Sequence, residues 1–170
     1  AVLTVSDRAF RGEYEDRGGP ACEAWLRGVI TSEVEILRQI TPDGRVEVAA
    51  ALRDLADTWG ADLILATGGT GPAPRDQTPE AMADVITMEL AGFGEAMRAA
   101  NSRVVATAIL SRQSAGVRGK TLIITLPGSP NAISTSLEAI FAAVPYCLDL
   151  IGATRIETDP AVIKAHRPKT

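Results

Sequence analysis

The chain has 170 residues, of which 46% are apolar and 22% charged, with a net charge of −4 and a sequence pI of about 5.1. That is the profile of one globular domain large enough to bury a core. The acidic balance excludes a general nucleic-acid or anionic-membrane binder. Aromatic residues at 4% leave few stacking platforms for single-stranded nucleic acid, and no apolar run is long enough to span a bilayer.

The chain opens on Ala1-Val2-Leu3-Thr4-Val5-Ser6, a strand pattern rather than a signal peptide. The missing Met is expected from processing or trimming of the true start. Val2 to Val5 reads as a buried strand, and the polar, glycine-rich stretch from Ser6 to Gly19 follows it. Ser6 and Asp7, at the strand's C-terminal end, are candidates for ligand contact, because open α/β sheets bind ligands there. Glu13 and Glu15 read as solvated. Pro20 suits a helix start, and Ala21 to Ile30 carries apolar residues at helical spacing. Val34 to Ile40 reads as a strand with Val34, Ile36 and Ile40 on one face. Thr41-Pro42-Asp43-Gly44 breaks the chain, and from the residues alone Asp43 reads as a turn residue or helix cap. Val46 to Trp59 reads as an amphipathic helix with Val46, Ala50, Leu52, Leu55 and Trp59 near one side.

The apolar run Asp62 to Ala66 leads into Thr67-Gly68-Gly69-Thr70-Gly71-Pro72-Ala73-Pro74-Arg75-Asp76, and Thr78-Pro79-Glu80 opens a helix. Strand, glycine loop, helix is an order that aims backbone N–H groups at one spot, which suits a phosphate. Thr67 and Thr70 add hydroxyls, Arg75 a positive charge, and Asp76 a carboxylate able to hold a metal ion. Pro79 to Met88 and Phe93 to Ser102 read as two helices split near Gly92, with Met82 and Met97 in the core. Val104 to Leu110 is ambiguous between helix and strand. Ser114 to Arg118, Gly119-Lys120 and Thr121 to Leu126 read as a hairpin ending in a buried strand. Leu126-Pro127-Gly128-Ser129-Pro130 is a second strand–loop–helix junction. Ile133 to Phe141 and Val144 to Ile151 are helical stretches broken near Pro145. The alternation predicts one α/β domain over 1–157, with a mostly parallel sheet covered by helices on both faces, and an extended tail over 158–170.

Several chemistries are excluded. Gly119-Lys120-Thr121 has Ser114 where a P-loop needs Gly, and its Lys precedes a strand. No G-x-S-x-G elbow is present. The only histidine, His166, lies in the tail, which removes Ser-His-Asp and Cys-His sites. Cys22 and Cys147 are far apart and form no C-x-x-C, so zinc and dithiol chemistry have no support and a cytoplasmic location is expected. Hydroxyls, arginines, glycine backbone and aspartates remain. They suit phosphate binding with a hard divalent cation, and hence phosphoryl or nucleotidyl transfer.

Ser6-Asp7-Arg8 with Gly12 through Asp16, the run from Thr67 to Asp76 with Thr78-Pro79-Glu80, Ser111-Arg112, Leu126 to Pro130 and Arg167-Pro168-Lys169 resemble the molybdenum cofactor biosynthesis family, in its adenylyltransferase branch of the MogA type. The resemblance implies a three-layer α/β fold, a homotrimer, and transfer of AMP from Mg-ATP to the terminal phosphate of molybdopterin. The product would pass to a downstream molybdenum-insertion protein. It implies catalytic and metal-holding roles for Asp43 and Asp76, with Mg²⁺ accompanying ATP. Substrate contacts are expected from Ser6, Asp7, Thr67, Gly68, Gly69, Thr70, Gly71, Arg75, Ser111, Arg112, Pro127, Gly128 and Ser129. Gln77 stands where relatives commonly have a small aliphatic residue. Two other readings use the same fold: a molybdopterin carrier without catalysis, and a nucleotide pyrophosphatase. Two aspartates beside a phosphate loop count against the carrier, and the match over Ser6 to Asp16 counts against the pyrophosphatase.

Overall fold

The computed structural model describes residues 1–168; residues 169 and 170, including Lys169 and the end of the expected tail, lie outside the described residues. Six strands form one mixed sheet, β1 (Val2–Val5), β2 (Arg38–Thr41), β3 (Leu63–Thr67), β4 (Met88–Glu89), β5 (Ala115–Arg118) and β6 (Thr121–Leu126), in the spatial order β2-β1-β3-β6-β5-β4. β2, β1, β3 and β6 run parallel, while β5 and β4 are added antiparallel at one side. The mostly parallel sheet expected from the alternation is therefore present.

Alternation along the central strands divides the core into two layers. Val2, Leu65, Leu122 and Ile124 point to one face and pack on α2 (Gly18–Val29), α5 (Ala91–Ser102), α6 (Pro130–Ile140) and α7 (Val144–Ile151). Leu3, Ile64, Ala66 and Ile123 point to the other, against α3 (Arg45–Arg53) and α4 (Thr78–Val85). Phe141 is fully buried in the first layer, with the Trp25 ring edge-on at 4.7 Å between centroids. Met82 and Met97 are both buried, as expected of gap-filling core residues. Among the described residues no single helix is long and apolar enough to cross a membrane.

Four local expectations are corrected by long-range pairing. The strand expected over Val34 to Ile40 exists only over Arg38–Thr41, because β1 offers partners from Val2↔Arg38 to Val5↔Thr41 and none beyond. The apolar stripe of α3 is rotated: Val48, Ala49, Leu52 and Leu55 are buried, while Val46 is 76% exposed and Ala50 also faces out. Val46 precedes Val48 by about half a turn, so one side cannot bury both. The helix then widens into a π-type turn at Asp54–Thr58 that ends before the exposed Trp59. Between α4 and α5, Thr87 N–H and Leu90 N–H bond Val117 and Ala115 carbonyls, which draws Met88–Glu89 onto the sheet edge as β4. Gly92 consequently lies inside α5 rather than between helices. The ambiguous Val104 to Leu110 stretch becomes a mostly exposed 3₁₀ turn at Ala106–Leu110.

The hairpin at Gly119-Lys120 has its expected register, Arg118↔Thr121 through Ala115↔Ile124. After α7 the chain folds back. Asp159 N–H bonds Val29 O, His166 N–H bonds Ala142 O, and Arg167 donates to Asp149 at 2.5 Å and to Ile156 O at 2.9 Å.

Truncating Phe141 to Ala is expected to cost about 3–5 kcal/mol of folding stability, the range for a buried aromatic whose cavity cannot collapse. Val46→Ala should stay within about 0.5 kcal/mol, since its side chain faces water. Urea unfolding midpoints of the two variants check both values.

Candidate functional site

The parallel registers carry the C-terminal ends of four strands to one edge: Val5 lies beside Thr41, Thr4 beside Thr67, and Thr67 beside Leu126. The next residues of each strand are Ser6-Asp7, Pro42-Asp43, Gly68-Gly69 and Pro127-Gly128. β2 and β3 lie on opposite sides of β1, so the chain's winding reverses there, which opens a crevice at the strand ends.

The glycine loop is seated in this crevice from below. Gly68 N–H extends the β3–β6 ladder by bonding Leu126 O at 3.1 Å. Its φ of +107° belongs to glycine, and a Cβ there would stand 2.2 Å from the Val5 carbonyl oxygen. Gly69, at φ +61°, would drive a Cβ to 2.4 Å from Thr78 Oγ1. The buried Thr78 holds both residues, its hydroxyl donating to Gly68 O at 2.9 Å and its N–H to Gly69 O at 3.0 Å. Thr67 donates to Pro127 O at 2.7 Å, tying the two glycine-bearing loops together. With those bonds made, the N–H groups of Gly69, Thr70 and Gly71 have no protein acceptor among the described residues. Three consecutive amides are thus left as unused donors, the group type that an oxyanion accepts from in a backbone cradle.

Arg75 and Arg112 brace this loop from its two sides. Arg75 forks onto Asp7, Nη2 to Oδ1 at 2.9 Å and Nε to Oδ2 at 3.1 Å, and reaches Asp43 O at 2.5 Å. Asp7 and Asp43 also exchange bonds: Asp7 N–H to Asp43 Oδ2 at 2.7 Å, and Asp43 N–H to Asp7 Oδ1 at 3.1 Å. Ser6 caps the short helix α1 (Asp7–Phe10) by accepting Ala9 N–H at 3.2 Å. Arg112 donates to Gly71 O and Asp76 O, pairs with Glu80, and gives its own N–H to Thr70 O. Ser111 lies 3.2 Å from the Thr70 hydroxyl and donates onward to Gln113 at 2.8 Å. The Arg75 guanidinium holds the Asp7 carboxyl below the usual carboxylate range, and Arg112 does the same to Glu80.

Asp43 is not the cap of α3, whose start is Gly44 with no side-chain cap bond. Instead its Oδ1 lies 3.3 Å from where a Cβ on Gly69 would stand. Asp76 accepts Ala73 N–H at 3.3 Å through Oδ2, which lies 2.6 Å from the equivalent point on Gly71. The two carboxylates therefore border glycines two residues apart, and each keeps an oxygen without a protein hydrogen bond. Gly128 and Ser129 reach the same edge and stand exposed at the start of α6. Gln77 accepts Arg45 N–H at 3.1 Å and so serves the start of α3 rather than the cradle.

Sequence reasoning passed over four side chains at this edge. Thr78 and Glu80 stood inside the quoted run but drew no role. Arg8 and Arg17 flank Tyr14 in a loop from which only Ser6 and Asp7 are expected to contact ligand; two basic residues around an aromatic were the available signal.

A family model described as "Probable molybdopterin binding domain" matches residues 1–146. A Helicobacter pylori protein named molybdopterin adenylyltransferase is 47% identical over 168 residues, spanning 99% of this chain and 96% of that one. The Escherichia coli protein of the same name is 42% identical over 181 residues, covering 99% and 93%. Among solved structures, the molybdopterin biosynthesis enzyme MoaB of Thermus thermophilus superposes with a TM-score of 0.81 at 44% identity, covering 91% of this chain and 96% of that one.

The Asp7 carboxyl should titrate below the ordinary aspartate value, chiefly through Arg75, and shift upward in Arg75→Met. A carboxyl lowered in the folded state adds stability above its unfolded pKa, and that stability is lost as pH falls through the lower folded value. The brace should therefore survive mild acid and fail only below the usual carboxylate range. Carbon-13 NMR of the Asp7 side chain in the two proteins reads both midpoints.

Proposed function

The chain belongs to the family of probable molybdopterin binding domains, and from that premise we propose that it is a molybdopterin adenylyltransferase. It transfers AMP from Mg-ATP to the terminal phosphate of molybdopterin and releases pyrophosphate. The observation that carries this reading is the cradle of free amides at Gly69, Thr70 and Gly71 with a carboxylate on either side. A protein that only held phosphate would gain nothing from two negative charges there; one that joins two phosphates has a use for them.

In the reaction, an oxygen of the molybdopterin phosphate attacks the α-phosphorus of ATP. A new P–O–P bond forms, the bond between the α-phosphorus and the bridging oxygen breaks, and pyrophosphate leaves with that electron pair. A phosphate monoester is already ionised near neutral pH, so no side chain has to remove a proton. The protein's share is placement and charge. The amides of Gly69 to Gly71 hold one phosphate, the hydroxyls of Thr70 and Ser111 stand together at that loop, and Thr67 ties Pro127-Gly128 to its start. Asp7 and Arg75 fix Asp43 in place, and Arg112 fixes Asp76.

The donor set suits a hard divalent cation. Among the described residues no group of three or more His, Cys, Asp or Glu could hold a metal by itself. Two carboxylates completed by substrate phosphates and water match the preference of Mg²⁺. Bound by Asp43 and Asp76 with the substrates, Mg²⁺ would offset the repulsion between two polyanions.

The product is expected to pass to a molybdenum-insertion protein. A cytoplasmic location fits two unpaired cysteines, the buried one with its thiol pushed up to about 12 by burial. We place the enzyme as a homotrimer, for which the exposed Val104, Val105, Ile109 and Leu110 offer an apolar surface.

Asp76→Asn should lower pyrophosphate release from Mg-ATP and molybdopterin by about 10²–10³-fold while leaving molybdopterin bound; near-normal turnover removes the role. Light scattering of the purified chain should give three times the 17.9 kDa monomer mass, and a monomer mass ends the trimer assignment.

A further inference from the structure

Charge accounting at the strand ends leaves two cations over. Arg75 and Arg112 direct guanidinium donors at Asp7, Glu80 and main-chain carbonyls, so each is already paired with a carboxylate and tied to the frame of the cradle. Arg8 and Arg17 are different. Among the described residues neither makes an ion pair or a side-chain hydrogen bond, and both lie over one ring, Arg8 Cζ at 5.1 Å and Arg17 Cζ at 5.9 Å from the Tyr14 centroid. All three side chains are exposed.

Both arginines line a cavity of about 290 Å³ whose floor is Thr67, Gly68 and Gly128. It therefore opens directly beside the amide cradle. Neither Asp16, which also lines the cavity, nor Glu13 is paired with Arg8 or Arg17. Asp16 accepts the Thr4 hydroxyl at 3.0 Å and Gly19 N–H at 3.0 Å. Glu13 is paired with Arg11 at 2.7 Å. Two like charges stacked on one ring repel each other, and the ring alone offsets little of that. An oxyanion between them converts the repulsion into two charge-assisted hydrogen bonds. Gly128 packs close to Gly68, a Cβ on it standing 3.6 Å from Gly68 Cα, so the floor is bare backbone that an anion can approach.

We propose that Arg8 and Arg17, held on Tyr14, form a clamp for a substrate phosphate, and that they rather than Arg75 supply the positive side chains of the site. The identity of that phosphate, the polyphosphate of a nucleotide or the monoester of a phosphorylated pterin, rests on the adenylyl-transfer reading; the clamp does not.

The test is calorimetric titration of the full chain with three probes: inorganic pyrophosphate, ATP, and molybdopterin. Arg8→Gln and Arg17→Gln should each weaken pyrophosphate binding about tenfold, and the double variant by about fiftyfold or more, as for charged hydrogen bonds lost one at a time. Tyr14→Leu should weaken it several-fold while Tyr14→Phe restores it, because the ring face and not the hydroxyl carries the arginines. Arg118→Gln, at the opposite sheet edge and paired with Asp57, should bind like the parent. Thermal unfolding of every variant separates lost affinity from lost fold. A larger loss for ATP assigns the clamp to the nucleotide, and a larger loss for molybdopterin assigns it to the pterin phosphate. Unchanged affinity for all three probes in the folded double variant overturns the clamp. Failure of the parent to release pyrophosphate, with anion binding still dependent on Arg8 and Arg17, overturns adenylyl transfer and leaves the clamp standing.

Discussion

The site depends on one guanidinium. Arg75 joins Asp7, at the end of the first strand, to the Asp43 carbonyl, at the end of the second, from its own position in the loop after the third. Three chain segments that meet nowhere else in sequence are locked by a planar fork whose donors match a carboxylate two at a time. The reciprocal bonds between Asp7 and Asp43 close the triangle. Such an exposed pair adds little to global stability. Its value lies in geometry: it holds the Asp43 carboxylate beside Gly69 before any ligand arrives.

That arrangement divides the charges at this edge into two kinds. Arg75 and Arg112 are surface struts, paired with acids and carbonyls, and they tie the loop to its neighbours. Asp43 and Asp76 each retain an open oxygen, so they present negative charge beside the amides of the glycine loop. The mismatch has a physical meaning. A surface built to bind an anion by attraction alone would avoid it, whereas a surface that brings two anions together around a cation requires it. Stiffness is part of the same logic, since charge stabilisation is strongest when the groups need not rearrange during the reaction.

The scaffold explains why these groups converge at all. Residues 7, 43 and 76 share this edge because parallel strands end there and the winding reverses at β1, and Arg112 reaches it because β5, running antiparallel, starts at the same edge. The buried strands beneath are a continuous apolar floor, with Leu65, Ile124 and Leu126 fully enclosed. A loop resting on that floor cannot sink or tilt, and Thr78 prevents it from lifting.

What could be read without coordinates was whatever is encoded within a few residues. Gly68-Gly69 after an apolar run marks a turn needing positive φ, and Gly119-Lys120 between two apolar runs marks a hairpin, because backbone sterics act locally. Asp76 was legible as a carboxylate within the glycine run itself, whereas the role of Asp43 came from a family likeness and not from spacing. The fold alone decided the rest. β4 exists because Thr87 and Leu90 find carbonyls on β5, β2 is short because β1 is short, and the α3 stripe is phased by the sheet it covers. The same holds for the arginines: Arg75 meets Asp7 across 68 positions and Arg112 meets Gly71 across 41. Whether a guanidinium is a strut or a free cation depends on which carboxylate lies within reach, and that is a property of distance in space that no local pattern of residues records.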